Sequence, residues 1–314
     1  MTPCTVATLT MNPALDLSAE VEAVEPIHKL RCASPRRDPG GGGINVARVM
    51  SRLGGSASAI FPAGGMTGGR LEELLRAEGV HSVSVEIAGE TREDVTILEK
   101  RSGRQYRFVM PGPTLSEKEL TRCLEALRAR DAETEFVVVS GSLPPSVTPD
   151  FYAEIARHTK SDGRKLIVDT SGAGLRAVLE VGAYLVKPNL RELEEYFGNS
   201  LTGEPAYLAA AQEVVTRGAA QIVALSLAEK GARLVTRDGA WRASAPPISP
   251  VSTVGAGDSF VGAFVCALAR REPLPEALRW GVAAGTAALL SHGTELCQAA
   301  DVNRLLPQVL VEKI

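Results

Sequence analysis

An acidic residue follows a run of small residues in the stretch PVSTVGAGDSFVGAF, near the C-terminal end of the chain. Gly255, Ala256 and Gly257 lead into Asp258, and an apolar helical pattern begins at once. A glycine-rich turn that opens a helix can hold an anion, because free backbone N–H groups and the positive end of the helix dipole meet there. A carboxylate in that turn suits phosphoryl transfer, since it can take the proton of an attacking hydroxyl. The alternative is that Asp258 only starts the helix.

A second glycine run, PGGGGINVARVMSRLGG, also opens a predicted helix. It lacks the GK[ST] of a Walker A loop, no G-x-G-x-x-G frame fits it, and no strong strand is predicted before it. The backbone of Gly40, Gly41, Gly42 and Gly43 would let a polyhydroxylated ligand lie directly on the chain, with Asn45 offering both a donor and an acceptor. A flexible loop is the alternative interpretation.

A third motif, VKPNLREL, places Lys187, Asn189 and Glu192 at the end of a predicted strand. Ligands gather at the carboxyl ends of parallel strands, which makes polar residues there candidates for a site. Asn189 and Glu192 could hold magnesium through water. They could equally form an N-terminal capping box of the next helix.

The elements that would position these motifs alternate between strand and helix. Short apolar runs predict buried strands at Thr5 to Met11, Ala57 to Phe61, Phe136 to Ser140, Lys165 to Asp169, Ala183 to Lys187 and Gln221 to Ser226. Helical spacing predicts helices at Asp150 to Ser161, Gly174 to Val181 and Glu204 to Arg217. This alternation predicts βαβ units and a parallel sheet that is covered on both faces.

Two segments interrupt this alternation. Asp16 to Arg36 and Ala88 to Met110 alternate apolar and polar residues without helical spacing, and VTILE and YRFVM flank Ser102 and Gly103 as a hairpin would. We expect a small antiparallel sheet that projects from the main layer. Irregular loops are the alternative.

Composition narrows the class of protein. The chain has 314 residues, 45% of them hydrophobic and 23% charged, and a formal net charge of −3. This balance lacks the positive excess that nucleic acid or an anionic membrane would attract. No apolar run reaches the ~18 residues of a membrane span. Five scattered cysteines without CxxC spacing argue against a disulfide framework. We therefore expect a cytoplasmic protein.

Together these motifs resemble the PfkB family of ribokinase-like sugar kinases over the whole chain. GAGDSFVGAF is similar to the C-terminal signature of the family and GGGGINVAR to its N-terminal signature, with VKPNLRE between them. KLRC, GSASAIFPAGG, QYRFVMPG, SGSLPP and STVGAGDS resemble the ATP-dependent 6-phosphofructokinase branch. Fructose-1-phosphate and tagatose-6-phosphate kinases usually carry GGKG, where this chain has only glycine. TMNPALDLS is nearer to the fructose-1-phosphate kinases.

The resemblance implies a fold and an activity. The fold would be α/β, with three α/β/α layers, a mainly parallel central sheet and a small β-sheet lid. One domain would span residues 1–314, with a discontinuous lid at about 16–36 and 88–110. The enzyme would transfer the γ-phosphoryl group of ATP to the C1 hydroxyl of fructose 6-phosphate, with Mg²⁺ and a potential K⁺ site. Fructose 1-phosphate or tagatose 6-phosphate is the alternative substrate, and a non-catalytic sugar-phosphate sensor is the alternative class.

The resemblance also implies roles for residues. Asp258 would be the catalytic base and Gly255, Ala256 and Gly257 the anion hole. The ligands of the phosphosugar would be Asp16, Lys29, Gly40, Gly41, Gly42, Gly43, Asn45, Arg92 and Ser142. The nucleotide site would be lined by Lys187, Asn189, Ser226, Gly231 and Thr253. Glu192 would act on magnesium through water, and a monovalent cation would bind at the loops of Ser252, Val254 and Ala288.

Three residues depart from the family pattern. Ala228 stands where the family has glycine, which bears on the approach of the backbone to the nucleotide. Ser291 and Glu295 stand where the 6-phosphofructokinase branch has Asn and Arg, which bears on the potassium site.

The resemblance implies, last, a homodimer. A projecting sheet exposes an apolar face and two edges, which a second copy of the lid would cover. Lys29 would then reach the sugar site of the neighbouring subunit.

Overall fold

A computed structural model describes residues 5–33, 35–130, 133–291 and 293–314. Its strands are β1 Val6–Leu9, β2 Ala14–Val21, β3 Arg36–Gly40, β4 Ser58–Ala63, β5 Ser82–Glu86, β6 Arg92–Glu99, β7 Gln105–Phe108, β8 Phe136–Ser140, β9 Lys165–Asp169, β10 Ala183–Val186, β11 Ala220–Ser226, β12 Ala232–Thr236, β13 Gly239–Ser244 and β14 Leu310–Lys313. Its helices are α1 Gly42–Arg52, α2 Gly65–Ala77, α3 Glu117–Arg128, α4 Asp150–Ser161, α5 Gly172–Val181, α6 Leu190–Phe197, α7 Glu204–Thr216, α8 Ala256–Ala269, α9 Leu274–Ala288 and α10 Ala299–Leu305.

The main sheet has ten strands within the described residues, in the order β14-β13-β12-β11-β10-β9-β8-β1-β4-β5. All pairs from β11 to β5 are parallel, and the edge from β11 to β14 is antiparallel. The predicted mainly parallel sheet is confirmed. Because the carboxyl ends of its parallel strands lie at one edge, residues after β8, β9 and β10 come together there.

Alternate residues of each central strand pack into different cores. Val138 and Ile167 face a core with α1, α2, α8, α9 and α10, whereas Val137 and Val168 face a core with α3, α4, α5 and α7. Because successive side chains of a strand point to opposite faces, the sheet lies between two helical layers. The predicted three layers are confirmed.

The lid is a separate sheet in the order β3-β2-β6-β7. The hairpin of β6 and β7 is antiparallel, as predicted, but β2 and β6 pair in parallel, with Asp16 opposite Asp94. The prediction of a purely antiparallel lid was therefore wrong. The chain between β2 and β6 crosses the main sheet through β4 and β5, which is the long crossover that parallel pairing needs.

A strand does precede the glycine run of Gly40 to Gly43, contrary to the sequence interpretation. β3 contains Arg36, Arg37, Asp38, Pro39 and Gly40, a composition that gives no strand signal. It forms an edge of the lid and is held by pairing with β2, where a proline is tolerated.

The other predicted elements agree within two residues at each end. β8, β9 and α4 have the predicted bounds. None of the helices in the described ranges has the length and apolar character that a membrane crossing requires.

Candidate active site

Asp258 lies in the first turn of α8, directly after the predicted anion-holding run. Gly255 precedes the helix with a φ of 77°, a left-handed conformation that favours glycine. Ser259 N–H donates to Gly255 O at 2.9 Å, and no side chain caps the helix start. The amides of Ala256, Gly257 and Asp258 therefore lack intrahelical acceptors. This start of a 14-residue helix can receive an anion.

The Asp258 carboxylate accepts a hydrogen bond from Asn45, which lies on a different helix, α1. Asn45 Nδ2 donates to Asp258 Oδ2 at 2.8 Å. Burial, and second the nearby Asp169 carboxylate, raise the pKa of Asp258 to about 6, while the Asn45 hydrogen bond, Lys187 and Arg107 act in the opposite direction. A carboxylate with this pKa is a better proton acceptor than an ordinary aspartate and is still ionised at neutral pH.

Lys187, at the end of β10, forms a buried ion pair with Asp169. Its Nζ lies 3.0 Å from Asp169 Oδ1. Burial opposes the charge of Lys187, but Asp169, with Glu192 and Asp258, raises its pKa. Asp169 was missed by sequence reasoning. It ends the buried strand KLIVD, so the rule that singled out Lys187 could also have identified it.

Glu192 and Asn189 form a capping box at the start of α6. Asn189 Oδ1 accepts from Glu192 N–H at 2.9 Å, and Glu192 Oε2 accepts from Asn189 N–H at 2.9 Å. The alternative interpretation from the sequence, an N-terminal capping box of α6, therefore describes how Asn189 and Glu192 bond to each other. Glu192 also faces the cleft, and burial raises its pKa against the Asn189 hydrogen bond and Lys187.

These residues surround one open cleft with a volume of about 240 Å³. Its lining residues are Ser140, Gly141, Ser142, Asp169, Thr170, Ser171, Glu192 and Asp258. Of the residues singled out from the sequence, Ser142, Glu192 and Asp258 line it directly. The rest of the lining comes from the ends of β8 and β9.

The glycine run packs closely against other parts of the chain. A Cβ on Gly40 would lie 2.5 Å from the Asp16 carboxylate, and one on Gly42 would lie 2.3 Å from Ser140 Oγ and 2.8 Å from Gly141 N. Gly41 has a φ of 108°, and a Cβ on Gly43 would lie 2.7 Å from Leu9 O. The run is therefore a fixed turn, and the flexible-loop alternative was wrong. A lysine at Gly42 would displace the loop after β8.

The candidate sugar ligands of the lid lie on neighbouring strands. Burial, and second Asp94, raise the pKa of Asp16 to about 7. Arg92 donates to Met110 O at 2.9 Å and to Asn12 O at 3.1 Å, and its Nε is buried without a partner. An unpaired buried donor is costly, which an incoming anion would relieve.

Two other candidates differ in their position. Ser142 Oγ lies 3.5 Å from Asn12 Nδ2, at the cleft. Lys29 is exposed in the segment between β2 and β3, and no ion pair joins it to any residue that the structure describes. The structure thus places Ser142 at the cleft, whereas Lys29 is an exposed lysine without an ion pair among the described residues.

Arg107 of β7 is a second residue that sequence reasoning missed. It is exposed, yet its charge reaches both Asp16 and Asp258 and lowers the pKa of each. An exposed guanidinium near both carboxylates could contact a phosphate in the cleft. In the sequence, Arg107 is only an arginine in the predicted hairpin strand QYRFVMPG, and nothing in that pattern indicates a role in the site.

The candidate nucleotide ligands lie at the ends of β10 and β11. Asn189 and Ser226 form a parallel bridge, which brings them beside Lys187. Gly231 has a φ of 78°, and a Cβ there would meet Ala243 O at 2.1 Å, so a tight turn requires it. Thr253 is exposed just before α8. Ala228 has a φ of 51°, a strained value for alanine at the position where the family pattern has glycine.

The candidate cation loops meet at the end of α9. Val251 and Ser252 N–H both donate to Leu289 O, at 2.7 and 3.3 Å, and Val254 N–H donates to Ser252 Oγ at 3.2 Å. Ala288, buried at the last turn of α9, directly precedes that carbonyl. The three candidate residues thus lie in adjoining segments.

The loop before α10 is tied to the lid. Thr294 Oγ1 donates to Asp38 Oδ2 at 2.9 Å, and Arg36 forms an ion pair with Glu295. Ser252 Oγ lies 3.3 Å from Gln105 Oε1 of β7. Glu295, which departs from the family pattern, therefore has a partner in this chain's own lid.

The fold and the site together define a class of protein: an α/β kinase in which a lid sheet faces a helix start that can hold an anion beside a carboxylate. The chain belongs to the pfkB family of carbohydrate kinases, whose sequence model matches residues 6–301.

Particular relatives narrow this class. The chain is 48% identical over 299 residues to the ATP-dependent 6-phosphofructokinase isozyme 2 of Mycobacterium tuberculosis, covering 95% of this chain and 88% of the relative. It is 33% identical over 309 residues to the 1-phosphofructokinase of Bacillus subtilis, covering 98% and 100%. The crystal structure of phosphofructokinase-2 from Escherichia coli with substrates and products superposes with a TM-score of 0.93 at 42% identity, covering 96% of this chain and 98% of the other.

Proposed function

We propose that this chain transfers the γ-phosphoryl group of ATP to the C1 hydroxyl of fructose 6-phosphate, forming fructose 1,6-bisphosphate and ADP. The observation that carries the proposal is the position of Asp258, whose pKa is raised to about 6 at the anion-holding start of α8. The names of the relatives at 48% and 42% identity support this activity.

In this mechanism the C1 hydroxyl gives its proton to Asp258 as its oxygen attacks the γ-phosphorus. The bond from the γ-phosphorus to the β–γ bridging oxygen breaks, and ADP leaves. The free amides of Ala256 and Gly257 face the charge that develops on the transferring group. Asn45 keeps one oxygen of Asp258 in place, so the other oxygen remains for the proton.

The phosphosugar would lie between the lid and the glycine run. Asp16 and Asn45 would bind its hydroxyl groups, with the backbone of Gly40 to Gly43 beneath them. Arg92, whose Nε is buried and unpaired, would bind its phosphate together with Ser142. Lys187, Asn189, Ser226, Gly231 and Thr253 would border the nucleotide.

The residues present fit magnesium bound through water and phosphate. In the described part of the chain no cluster of three acidic, His or Cys side chains could hold a metal alone. Glu192, whose Oε2 caps α6, faces the cleft with a raised pKa that a cation would offset. Bound Mg²⁺ would neutralise phosphate oxygens of the nucleotide.

Potassium would fit at the loops of Ser252, Val254 and Ala288. Ser252 Oγ lies 3.0 Å from Gly293 O, so a hydroxyl oxygen and a carbonyl oxygen that could bind a cation are close together in this region. A cation bound there would hold the segment that leads into α8.

The apolar surface of the lid supports a homodimer. Ile27, Leu30, Phe108, Val109 and Met110 are exposed, Val109 by 60% and Phe108 by 52%. Water tolerates such a surface poorly, and a two-fold axis would let two lids cover one another. We propose that the body and lid of residues 1–314 act as one catalytic domain, with two copies joined by their lids in the cytoplasm.

A second candidate substrate is fructose 1-phosphate, because a 1-phosphofructokinase also matches along the whole chain. The packing at Gly42 favours fructose 6-phosphate. A lysine there, usual in that alternative branch, would collide with Ser140 and Gly141.

A coupled assay of ADP release tests the proposal. The purified protein is supplied with ATP, Mg²⁺ and in turn fructose 6-phosphate, fructose 1-phosphate or tagatose 6-phosphate. The highest kcat/KM is expected with fructose 6-phosphate. A higher value with another phosphosugar would assign the alternative substrate, and no ADP release with any of them would indicate a non-catalytic sensor.

A further inference from the structure

Arg48 is a fully buried guanidinium that has no role in the mechanism above. It lies on α1, one turn after Asn45, and its side chain has 0% exposure. Burying a charge costs several kcal/mol unless it is paired and its donors are satisfied. The hydrogen-bond partners of Arg48 therefore show which segments of the chain this buried charge connects.

The partners of Arg48 connect the lid, the glycine run and the site. Its Nη1 donates to Pro39 O at 2.7 Å and to Asn45 Oδ1 at 3.2 Å. Its Nε and Nη2 donate to the Glu78 carboxylate at 2.7 and 2.6 Å. Nη2 also lies 3.7 Å from Asp38 Oδ1. Glu78 follows α2, so this network joins β3, α1 and the end of α2.

This network decides the orientation of the Asn45 amide. A guanidinium can only donate hydrogen bonds, so Asn45 must present its oxygen to Arg48. The NH₂ group of the same amide then faces Asp258, to which it donates at 2.8 Å. With the amide reversed, two donor groups would face each other at Arg48 and two acceptors at Asp258.

We propose that Arg48 is a positioning residue for the transfer: by holding Asn45 Oδ1, it keeps Asn45 Nδ2 on one oxygen of Asp258 and leaves the other oxygen to receive the substrate proton. This inference rests on the proposed function, in which Asp258 is the base. Arg48 itself touches neither the substrate nor the reacting atoms.

The inference has a consequence for pH dependence. Asp258 is faced by Asp169, which raises its pKa, and by Asn45, Lys187 and Arg107, which lower it. If the Asn45 amide is no longer fixed, the carboxylate loses a donor and its pKa rises. The acidic limb of kcat should then move to higher pH, because Asp258 must be ionised to accept a proton.

The test compares Arg48→Lys with a matched control, Arg52→Lys. Lysine keeps the charge but has three donors on one nitrogen, so it cannot reproduce the four hydrogen bonds that Arg48 donates to Pro39, Asn45 and Glu78. Arg52 lies one turn further along α1 and binds Leu296 O at 3.1 Å, with its Nη2 4.0 Å from Glu78. Among its described contacts none is with Asn45, so its replacement should leave the pH profile unchanged.

The measurement is kcat against pH at saturating ATP and fructose 6-phosphate, which keeps titration of Asp16 in sugar binding out of the profile. Arg48→Lys should lower kcat at pH 7 by about tenfold and move the acidic limb up by about 0.5–1 pH unit. Thermal unfolding of each variant is measured beside it. A folded Arg48→Lys enzyme with the wild-type limb would overturn the inference.

A second variant decides the matter if Arg48→Lys does not fold. Glu78→Ala removes the carboxylate that accepts from Arg48 Nε and Nη2, so the guanidinium is no longer fixed against Asn45. The Glu78 side chain is 29% exposed, so this is the milder change. It should move the acidic limb in the same direction by a smaller amount, and an unmoved limb would again overturn the inference. If the wild type shows no acidic limb, the proposed base is wrong, and the inference falls with it.

Discussion

The Lys187 ammonium lies 3.0 Å from Asp169 Oδ1, and this pair lies against Gly257 at the start of α8. The same ammonium is the cation that Glu192 and Asp258 face. Lys187 and the exposed Arg107 thus act on three carboxyl groups, so the cleft keeps an excess of negative charge. Burial and this imbalance raise the pKa values of Asp258 and Glu192. A magnesium nucleotide would offset it.

Asp258→Asn should lower kcat by at least about 10²-fold, the scale of losing a general base, with little change in sugar binding. The same variant should be more stable than the wild type at pH 8. The folded-state pKa of Asp258 is about 6 against the usual 3.8. The folded protein therefore loses stability as pH rises through that window, and asparagine removes this cost.

The rise in pKa from 3.8 to about 6 corresponds to a gain of about 3 kcal/mol at pH 8 and almost none at pH 3.5. Steady-state kinetics and urea unfolding at both pH values measure the two effects. Near-normal turnover would leave Asp258 as a helix starter, and an equal stability gain at both pH values would contradict the raised pKa.

Glu192→Gln should raise the magnesium concentration needed for the half-maximal rate and leave the KM for the phosphosugar nearly unchanged. Glutamine can still cap α6, so the substitution removes charge and keeps the capping box. Magnesium titrations of the rate at fixed ATP provide the measurement.

Glu119→Gln is the matched control, because Glu119 forms a capping box with Ser116 at the start of α3 and lies outside the cleft lining. Its magnesium titration should match the wild type. If Glu192→Gln gives the same titration as this control, Glu192 is only a cap.

Lys29→Ala should weaken binding of the phosphosugar by about 1–3 kcal/mol, the scale of a lost hydrogen bond to a charged group. The lysine is exposed on the lid, and the proposed dimer would carry it to the neighbouring subunit. Sedimentation of the free protein and the KM for fructose 6-phosphate test the two parts of this expectation.

Lys118→Ala, which removes an exposed lysine of α3, should leave the KM unchanged. A monomer with full activity at the assay concentration would rule out the shared lid. A dimer in which Lys29→Ala binds the sugar normally would remove only the role of this lysine.

Ala228→Gly should stabilise the protein by about 0.5–1 kcal/mol, because glycine adopts a left-handed conformation without the steric cost that alanine carries there. Ala228 has a φ of 51° at the turn after β11. Ala209→Gly, at an exposed position inside α7, should instead cost about 0.5–1 kcal/mol. Urea unfolding of both variants provides the comparison, and destabilisation by both would contradict the expected relief of strain.

The sequence by itself determined the main layers and the three motifs of the site. Continuous apolar strands such as FVVVS and KLIVD are buried on both faces, so their composition alone marks them. Helix starts such as that of α6 are local, because Asn189 and Glu192 bond only within one turn. The two family signatures, GAGDSFVGAF and GGGGINVAR, then indicated phosphoryl transfer. They can be recognised in the sequence because their residue spacing is set by local turns of the same kind.

The tertiary structure alone decided what depends on contacts between distant segments. The sequence of β3 does not predict a strand, and β3 forms only because its backbone pairs with the edge of β2. The parallel pairing of β2 with β6 follows from the crossover between them. Asn45 and Asp258 are 213 residues apart, and neither the amide orientation set by Arg48 nor the pKa of Asp258 is a property of local sequence. Burial and pairing are produced by the folded environment, so no motif encodes them by itself.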